Sequence, residues 1–355
     1  MVKGLRNLAK IWFDLLTPKH YLFYKFLEDS LDMEALVTIR GYEELERVIS
    51  RLKIRAKPRE VGYHGGKDIL SKLTAGIARQ RALLEVIKDE DIAGAVSFGS
   101  PDAARIAFGL GLPHIMICDS PHSEFVSRLT VPLSSKLFTP WVIPKTAWTR
   151  YGIGKEDVVS YRSIDPALWV ARRKLWPAKN DIEKEGSGAI IIREEEGWAS
   201  YLSKAHNPIN IEELANSLPD EKFIVLRRYT NMVETRGNVK IYGGPFFGPN
   251  IIDGARLFIG RGGTMTAEAA LMGVPAISFY PGSMTYIDRH LLRIRAITVA
   301  RDQRDLLVKV KRVLADSGNR TTAPIDFNGF DDLSSFLPPR ITSAIKSHNG
   351  RTSAP

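Results

Sequence analysis

Two short stretches of the sequence carry residue types and spacings suited to chemistry. Asp119-Ser-Pro-His-Ser-Glu124 holds a carboxylate, an imidazole and a second carboxylate within six residues, the densest acid–base group in the chain. Asp119 and His122 form a set able to take a proton from a hydroxyl or from a carbon. The same letters also read as a helix cap, with Asp119 and Ser120 closing a helix that begins near Pro121 and Glu124 joining the cap. Asp-x-x-His has no third partner at metal-ligand spacing, so no metal is expected there. In the second stretch, Leu257–Tyr280, the glycines Gly260, Gly262 and Gly263 lie between an apolar run and Thr264-Met-Thr-Ala-Glu268. Glycines let backbone approach a ligand closely, and the first N–H groups of a following helix form an anion site. Thr264 reads as the N-cap, Glu268 as a carboxylate one turn further on the same face, and Met265, Ala269 and Met272 as the core-facing stripe. A phosphate at the turn and a hydroxyl-bearing group at Glu268 would both be served. A tight strand-to-helix turn with a solvated glutamate leaves the same signature.

The elements that position these residues follow one pattern. Leu257–Ile259 reads as a strand, Thr264–Met272 as a helix, and Gly273-Val-Pro leads into another strand. Ala95–Phe98, a glycine turn with Pro101 at the first helical position, a helix over Ala103–Leu110, Gly111-Leu-Pro and the strand His114–Cys118 repeat that order. This weak internal repeat argues for two similarly built α/β domains facing each other, 1–165 and 166–346, with Ile164-Asp-Pro166 as hinge and 347–355 as a disordered tail. Asp102 ends the neighbouring strand and joins Asp119 and His122 as a catalytic candidate. A first strand ending in Asp14 puts Thr17, Lys19 and His20 at its carboxyl end, where open α/β sheets bind ligands. Val61–Lys67 reads as a loop before a helix over Asp68–Lys88, and His64 within it either reaches a substrate or is solvated. With Glu124, these are the substrate-binding candidates. In the second half, strands run into Arg193, Arg227 and Gly243-Gly244, beside the glycine-rich turn. The planar fork of arginine suits phosphate oxygens. Arg193, Arg227, Gly244, Gly262, Gly263, Thr264, Met265 and Glu268 are the nucleotide-binding candidates.

Composition sets the limits. A chain of 355 residues, 44% hydrophobic and 25% charged, is globular and long enough for two cores. The lone Cys118 rules out a disulfide framework. No cleavable leader and no apolar window of membrane-spanning length is visible, which points to a cytoplasmic protein. The formal charge of +10 calls for a phosphate-bearing ligand or an anionic surface, including peripheral membrane contact. Basic residues are dispersed and no nucleic-acid signature occurs, so nucleic acid is not the expected partner.

Ile11-Trp-Phe-Asp14 with Thr17-Pro-Lys-His20, Val96-Ser-Phe-Gly-Ser-Pro-Asp-Ala-Ala-Arg105, Asp119-Ser-Pro-His122 and Gly260-Arg-Gly-Gly-Thr-Met265 with Glu268-Ala-Ala270 resemble an uncharacterised, largely archaeal family. It is catalogued as a domain of unknown function among the GT-B glycosyltransferase-like proteins. More distantly, the second half is similar to UDP-N-acetylglucosamine 2-epimerases and to the N-acetylglucosaminyltransferase that forms lipid II. The resemblance implies a GT-B-like fold of two Rossmann-like domains, with Gly262, Gly263 and Thr264 on a diphosphate and Glu268 on the ribose. The leading expectation is a metal-independent, UDP-sugar-dependent glycosyltransferase in which UDP-sugar is substrate and no cofactor is held. Helix dipole and arginine would take the place of a divalent ion, and the acceptor would be lipid-linked or anionic, with apolar runs such as Leu133–Val142 suiting it. A sugar-nucleotide 2-epimerase and a non-catalytic nucleotide-sugar-binding protein are the alternatives.

Overall fold

The computed structural model describes residues 9–41, 45–46, 48–49, 52–66, 68–175, 181–194, 209–227, 232–244, 246–279, 284–316 and 325–352. The chain forms two compact units, one of Met1–Ser163 with Phe330–Pro355 and one of Ile164–Gly329.

The first unit is built on seven strands: β1 (Lys10–Leu15), β2 (Ala35–Gly41), β3 (Arg59–Tyr63), β4 (Ile92–Ser97), β5 (His114–Ile117), β6 (Lys136–Pro140) and β7 (Val158–Tyr161). They lie in the order β3-β2-β1-β4-β5-β6-β7, every pair parallel. A parallel sheet covered on both faces needs continuous apolar strands, and β1 shows it, with Ile11–Leu15 wholly buried. The order reverses between β1 and β4, which opens a crevice at the carboxyl ends of those two strands.

The second unit repeats the plan with β8 (Ile190–Arg193), β9 (Phe223–Leu226), β10 (Val233–Arg236), β11 (Val239–Tyr242), β12 (Leu257–Gly260), β13 (Ala276–Ser278) and β14 (Thr298–Val299). Their order is β10-β11-β9-β8-β12-β13-β14, parallel except for β10, which runs antiparallel to β11 at the edge. The reversal here falls between β8 and β12, whose carboxyl ends carry Arg193 and the Gly260–Gly263 turn.

Several expectations change. Val61–Lys67 is not all loop: Arg59–Tyr63 is an edge strand with only Val61 buried, so it lacks the apolar run that marks a central strand. Leu133–Val142 is no surface patch, because Leu137–Pro140 is the buried interior of β6. The domain boundary also moves at the far end. The helix Leu333–Thr352, expected in the second domain with a disordered tail from Ser347, belongs to the first unit and stays helical through Thr352. It is held there by Ile345 against Gly94, by Asn349 Nδ2 donating to the Ala93 carbonyl at 3.0 Å, and by Asp331, which accepts from the Arg162 amide at 2.5 Å. Gly94 matters, since a Cβ there would lie 2.9 Å from the Ile345 side chain.

Candidate functional site

In the second unit, Gly262 and Gly263 adopt φ of 80° and 79°, a region that side-chain-bearing residues avoid, and the chain turns there from β12 into the helix Thr264–Leu271. Gly263, not Thr264, occupies the N-cap, and without a side chain it caps nothing. Thr264 is the first helical residue. The opening amide groups of this helix therefore have no cap side chain as acceptor, and Thr264 and Met265 are half-buried. A carboxylate from Asp288, buried at the start of the helix Tyr286–Arg293, lies against Gly262, and a Cβ on Gly262 would come 2.7 Å from Asp288 Oδ2. The pattern Thr285-x-x-Asp288 is a readable capping signal, with the Thr285 hydroxyl donating to Asp288 at 2.7 Å and accepting from its amide at 3.1 Å.

Glu268 is deeper than its spacing suggests. The helix is buried on all sides from Thr266 to Leu271, so Met265 is not part of a core stripe and Glu268 is only 3% exposed. Trp169 Nε1 donates to Glu268 Oε1 at 2.7 Å, while Oε2 has no hydrogen-bond partner and faces Gly248, where any Cβ would collide with it. Burial raises this carboxyl to about 7, against the lowering effects of the Trp169 hydrogen bond and the Arg193 charge. Trp169, within the short helix Ala167–Val170, carried no signal in the sequence.

The two arginines differ. Arg193, at the end of β8, acts electrostatically on Glu268 and lies over the Phe246 ring at 5.2 Å. Arg227 is claimed by Glu194, its Nε donating to both carboxylate oxygens at 3.1 Å, which neutralises its charge. Gly244 packs against the Tyr242 hydroxyl.

In the first unit, Asp119 follows β5 and meets Lys19, which follows β1: Lys19 Nζ donates to Asp119 Oδ2 at 2.5 Å, and the Ser120 hydroxyl donates to Oδ1 at 2.8 Å. Burial pushes the Asp119 carboxyl up, and Lys19, its hydrogen bond, Ser120 and His122 together bring it below its ordinary value. His122 is exposed, yet desolvation of its ring, aided by Lys19 and opposed by Asp119, lowers its pKa. The turn that carries both is pinned from outside: Arg150 Nη2 and the Tyr151 hydroxyl donate to the Pro121 carbonyl at 3.1 and 2.7 Å. The capping interpretation of this cluster does not hold. The next helix starts at Glu124, and its N-cap Ser123 makes no side-chain cap bond. Glu124 itself points elsewhere, to Arg128 at 2.6 Å.

Thr17 caps the helix Pro18–Leu27, its side chain accepting from the His20 amide. His20 Nδ1 accepts from the Leu16 amide at 3.2 Å, and its ring stacks on Phe98 at 4.9 Å. Burial, then Lys19, lowers its pKa to about 3 against Asp119 and Asp14. His64 Nδ1 accepts from the Gly66 amide at 3.1 Å, and burial, Arg40 and Lys72 lower its pKa to about 4.

Asp102 is engaged. It accepts from Arg79 Nη1 at 3.2 Å and from Gln80 Nε2 at 3.1 Å. Arg79, 1% exposed, also donates through Nη2 to Asp14 Oδ1 at 2.5 Å, and Thr38, itself accepting from Trp12, donates to Asp14 at 2.6 Å. Sequence reading passed over Arg79, although Ala75, Arg79, Leu83 and Ile87 repeat every fourth residue as the buried stripe of their helix. An arginine in such a stripe demands buried acids. The triplet Asp89-Glu90-Asp91 has the letters of a metal-binding Asp-x-Asp, but it precedes β4 at the amino end of the sheet, with Glu90 bound to Lys10 and Arg59.

A family described as a protein of unknown function, DUF354, matches residues 9–346. The chain belongs to the DUF354 family. An uncharacterized protein of Methanocaldococcus jannaschii is 25% identical over 303 residues, covering 79% of this chain and 85% of that one. Among solved structures, the UDP-GlcNAc 2-epimerase of Neisseria meningitidis bound to UDP-GlcNAc has a TM-score of 0.72 at 15% identity, covering 96% of this chain and 100% of the other. The UDP-GlcNAc 2-epimerase of M. jannaschii in complex with UDP-GlcNAc and UDP gives 0.71 at 15%, with 94% and 99% covered. The spinosyn forosaminyltransferase SpnP gives 0.62 at 12%, with 96% and 100% covered. This DUF354 chain thus has the GT-B-like fold shared by sugar-nucleotide epimerases and glycosyltransferases. Among its described residues no helix is long and apolar enough to cross a membrane.

Proposed function

We propose that this DUF354 protein is a UDP-sugar-dependent glycosyltransferase of the GT-B type. The observation that carries the reading is the pairing of an uncapped helix start at Gly263–Thr264 with a buried Glu268 oxygen that has no hydrogen-bond partner. A diphosphate accepts from the amides of Thr264 and Met265, and ribose hydroxyls donate to Glu268 Oε2. Such donation would relieve a buried acceptor otherwise left unsatisfied. Arg193 adds positive charge on the same side and stabilises the departing UDP, whereas Arg227, already paired, positions Glu194.

For the transfer itself, an acceptor hydroxyl attacks the anomeric carbon, the bond from that carbon to the UDP oxygen breaks, and the hydroxyl proton passes to a general base. His122 suits that step better than Asp119. A carboxyl held low by Lys19 is a poor proton acceptor, while an imidazole kept neutral near pH 7 is a good one. Asp119 then orients His122 and balances its charge after proton transfer. Asp102, tied to Arg79 and Gln80, is a positioning residue.

Calorimetry with UDP tests the site. Glu268→Ala is expected to weaken UDP by about 1–3 kcal/mol, the loss of a buried charge-assisted hydrogen bond. Equal affinity in both proteins removes Glu268 from the site. A 2-epimerase is the second reading, favoured by the near-complete fold match to UDP-GlcNAc 2-epimerases. It requires two acid–base groups flanking one carbon, and the engagement of Asp102 weighs against it. Incubation with UDP-GlcNAc in deuterated water separates the two: deuterium at C2 without acceptor supports the epimerase, and unlabelled sugar nucleotide removes it. UDP binding that persists with no transfer or exchange, in wild type as in His122→Ala, would leave only a nucleotide-sugar-binding protein.

A further inference from the structure

The backbone carbonyls before and after the His122 side chain are both bonded by residues that line a pocket of their own. Arg150 Nη2 and the Tyr151 hydroxyl donate to the Pro121 carbonyl, and the Glu124 amide donates to the His122 carbonyl at 2.9 Å. Glu124, Arg128, Arg150 and Tyr151 enclose a cavity of about 350 Å³, a size found among small-molecule sites.

The two cations of this pocket are held differently. Arg150 donates through Nη2 to the Tyr151 hydroxyl at 2.6 Å as well as to Pro121, and its guanidinium lies 4.7 Å from the centre of the Tyr151 ring. These contacts fix the plane of an exposed side chain, while its Nε and Nη1 meet no protein acceptor among the described residues. Such a guanidinium has already lost the freedom that binding would otherwise cost. Arg128, in the helix Glu124–Thr130, reaches Glu124 one turn away through Nη2 at 2.6 Å, and its Nε and Nη1 are likewise unclaimed among the described residues. Both members of that pair are more than half exposed, so water screens it and a ligand oxyanion can compete for the arginine. Two cations against one carboxylate leave the pocket positive.

We infer that Arg128 and Arg150 hold a phosphate group in this pocket, and that it is the phosphate of the acceptor. Two planar forks from separate elements grip oxygens on two sides of a tetrahedral anion, which a flat carboxylate does not offer. The role of acceptor rests on the transferase reading above; the anion pocket stands without it. Because the pocket walls are bonded to the backbone on both sides of His122, an acceptor anchored there lies beside the imidazole that takes its proton. Phe125 and Leu129 alternate with Glu124 and Arg128 along the same helix and are 71% and 58% exposed. An apolar strip beside a cationic pocket suits a phosphate that carries a hydrocarbon group. The shared chemistry is an organic phosphate monoester, free in solution or at a lipid headgroup.

The test is calorimetry of the full chain with phenyl phosphate, with UDP present so that the nucleotide site is filled. Wild type is expected to bind phenyl phosphate, and to bind benzoate about tenfold more weakly. Arg128→Gln and Arg150→Gln should each lower the affinity for phenyl phosphate about tenfold, as for one lost charge-assisted hydrogen bond. Glu124→Gln, which frees Arg128 from its carboxylate, should raise it severalfold. Arg128→Gln, at an exposed position, is the variant least able to disturb folding, and its affinity for UDP should equal that of wild type. Failure of wild type to bind phenyl phosphate, equal binding by Arg128→Gln, or equal affinity for benzoate overturns the phosphate pocket. A wild type that binds phenyl phosphate through Arg128 but never binds UDP keeps the pocket and removes the transferase reading. Sedimentation with phosphatidylcholine vesicles, with and without phosphatidic acid, separates the sources: pelleting that requires phosphatidic acid and Arg128 assigns a lipid phosphate. Calorimetric binding without pelleting assigns a soluble one.

Discussion

The two units place the same strand–turn–helix–strand segment beside their points of strand-order reversal, and they finish it in opposite ways. In the first, Ser100 caps the helix Pro101–Gly109, accepting from the Ala103 amide at 3.2 Å, and Pro101 has no N–H to offer. The crevice between β1 and β4 is filled by Arg79, clamped to Asp14 and Asp102. In the second, the cap residue is a glycine without a side chain, and the carboxylate on the helix keeps an unused oxygen. The same frame therefore leaves its helix start without a cap side chain in one unit and closes it with Ser100 in the other. Where the ion pair plugs the frame, polar side chains gather at neighbouring strand ends, with Lys19 after β1 paired to Asp119 after β5.

Breaking the plug gives the largest effect. Arg79→Leu leaves Asp14 buried without its partner and should destabilise the first unit by about 3–5 kcal/mol in chemical denaturation. UDP affinity should be unaltered once the protein is folded. A small loss of stability would mean that the crevice can take water, and that the two halves differ less than described.

Next comes the pH dependence of the open site. Glu268 is displaced upward from 4.5 to about 7 in the folded state, so the native protein holds a proton that the unfolded chain has released between those values. Stability tied to Glu268 is therefore full below the unfolded value and declines as pH rises to about 7, by on the order of 3 kcal/mol. Glu268→Gln should lack this decline. Parallel denaturation curves for wild type and variant across that window would assign the carboxyl an ordinary pKa.

The smallest effect sharpens the contrast. Ser100→Ala should remove about 1 kcal/mol from the stability of the first unit, the usual worth of an N-cap, and leave UDP binding untouched. Any weakening of UDP binding would couple a cap of one unit to the ligand of the other.

What was legible in the sequence follows the same division. Central parallel strands announce themselves as apolar runs, and Ile190–Ile192 or Trp12–Phe13 admit few other readings. The glycine turn was equally plain, because φ near 80° at Gly262 and Gly263 can be met by little else. Edge strands were not: Arg59–Tyr63 and Val233–Arg236 bury too little to leave a pattern. Partnerships across long sequence distances were invisible as well. Nothing near Glu268 foretells Trp169, and nothing near Arg227 foretells that Glu194 neutralises it. Arg79 lay between these cases, readable from its place in a buried stripe but only as a demand for partners. Asp119 and Lys19, a hundred residues apart, meet because β1 and β5 both flank β4.

The helix Leu333–Thr352 bears on how the molecule comes into being. It packs on β4, β5 and the helix Pro18–Leu27, yet it is made after the whole of Ile164–Gly329. On the ribosome, the second unit has all of its own chain before the first does. The face of the amino-terminal sheet around Gly94 stays uncovered until Leu333–Thr352 emerges. A chain halted near Gly329 would hold every residue of the second unit while the first still lacked the helix that packs against Gly94.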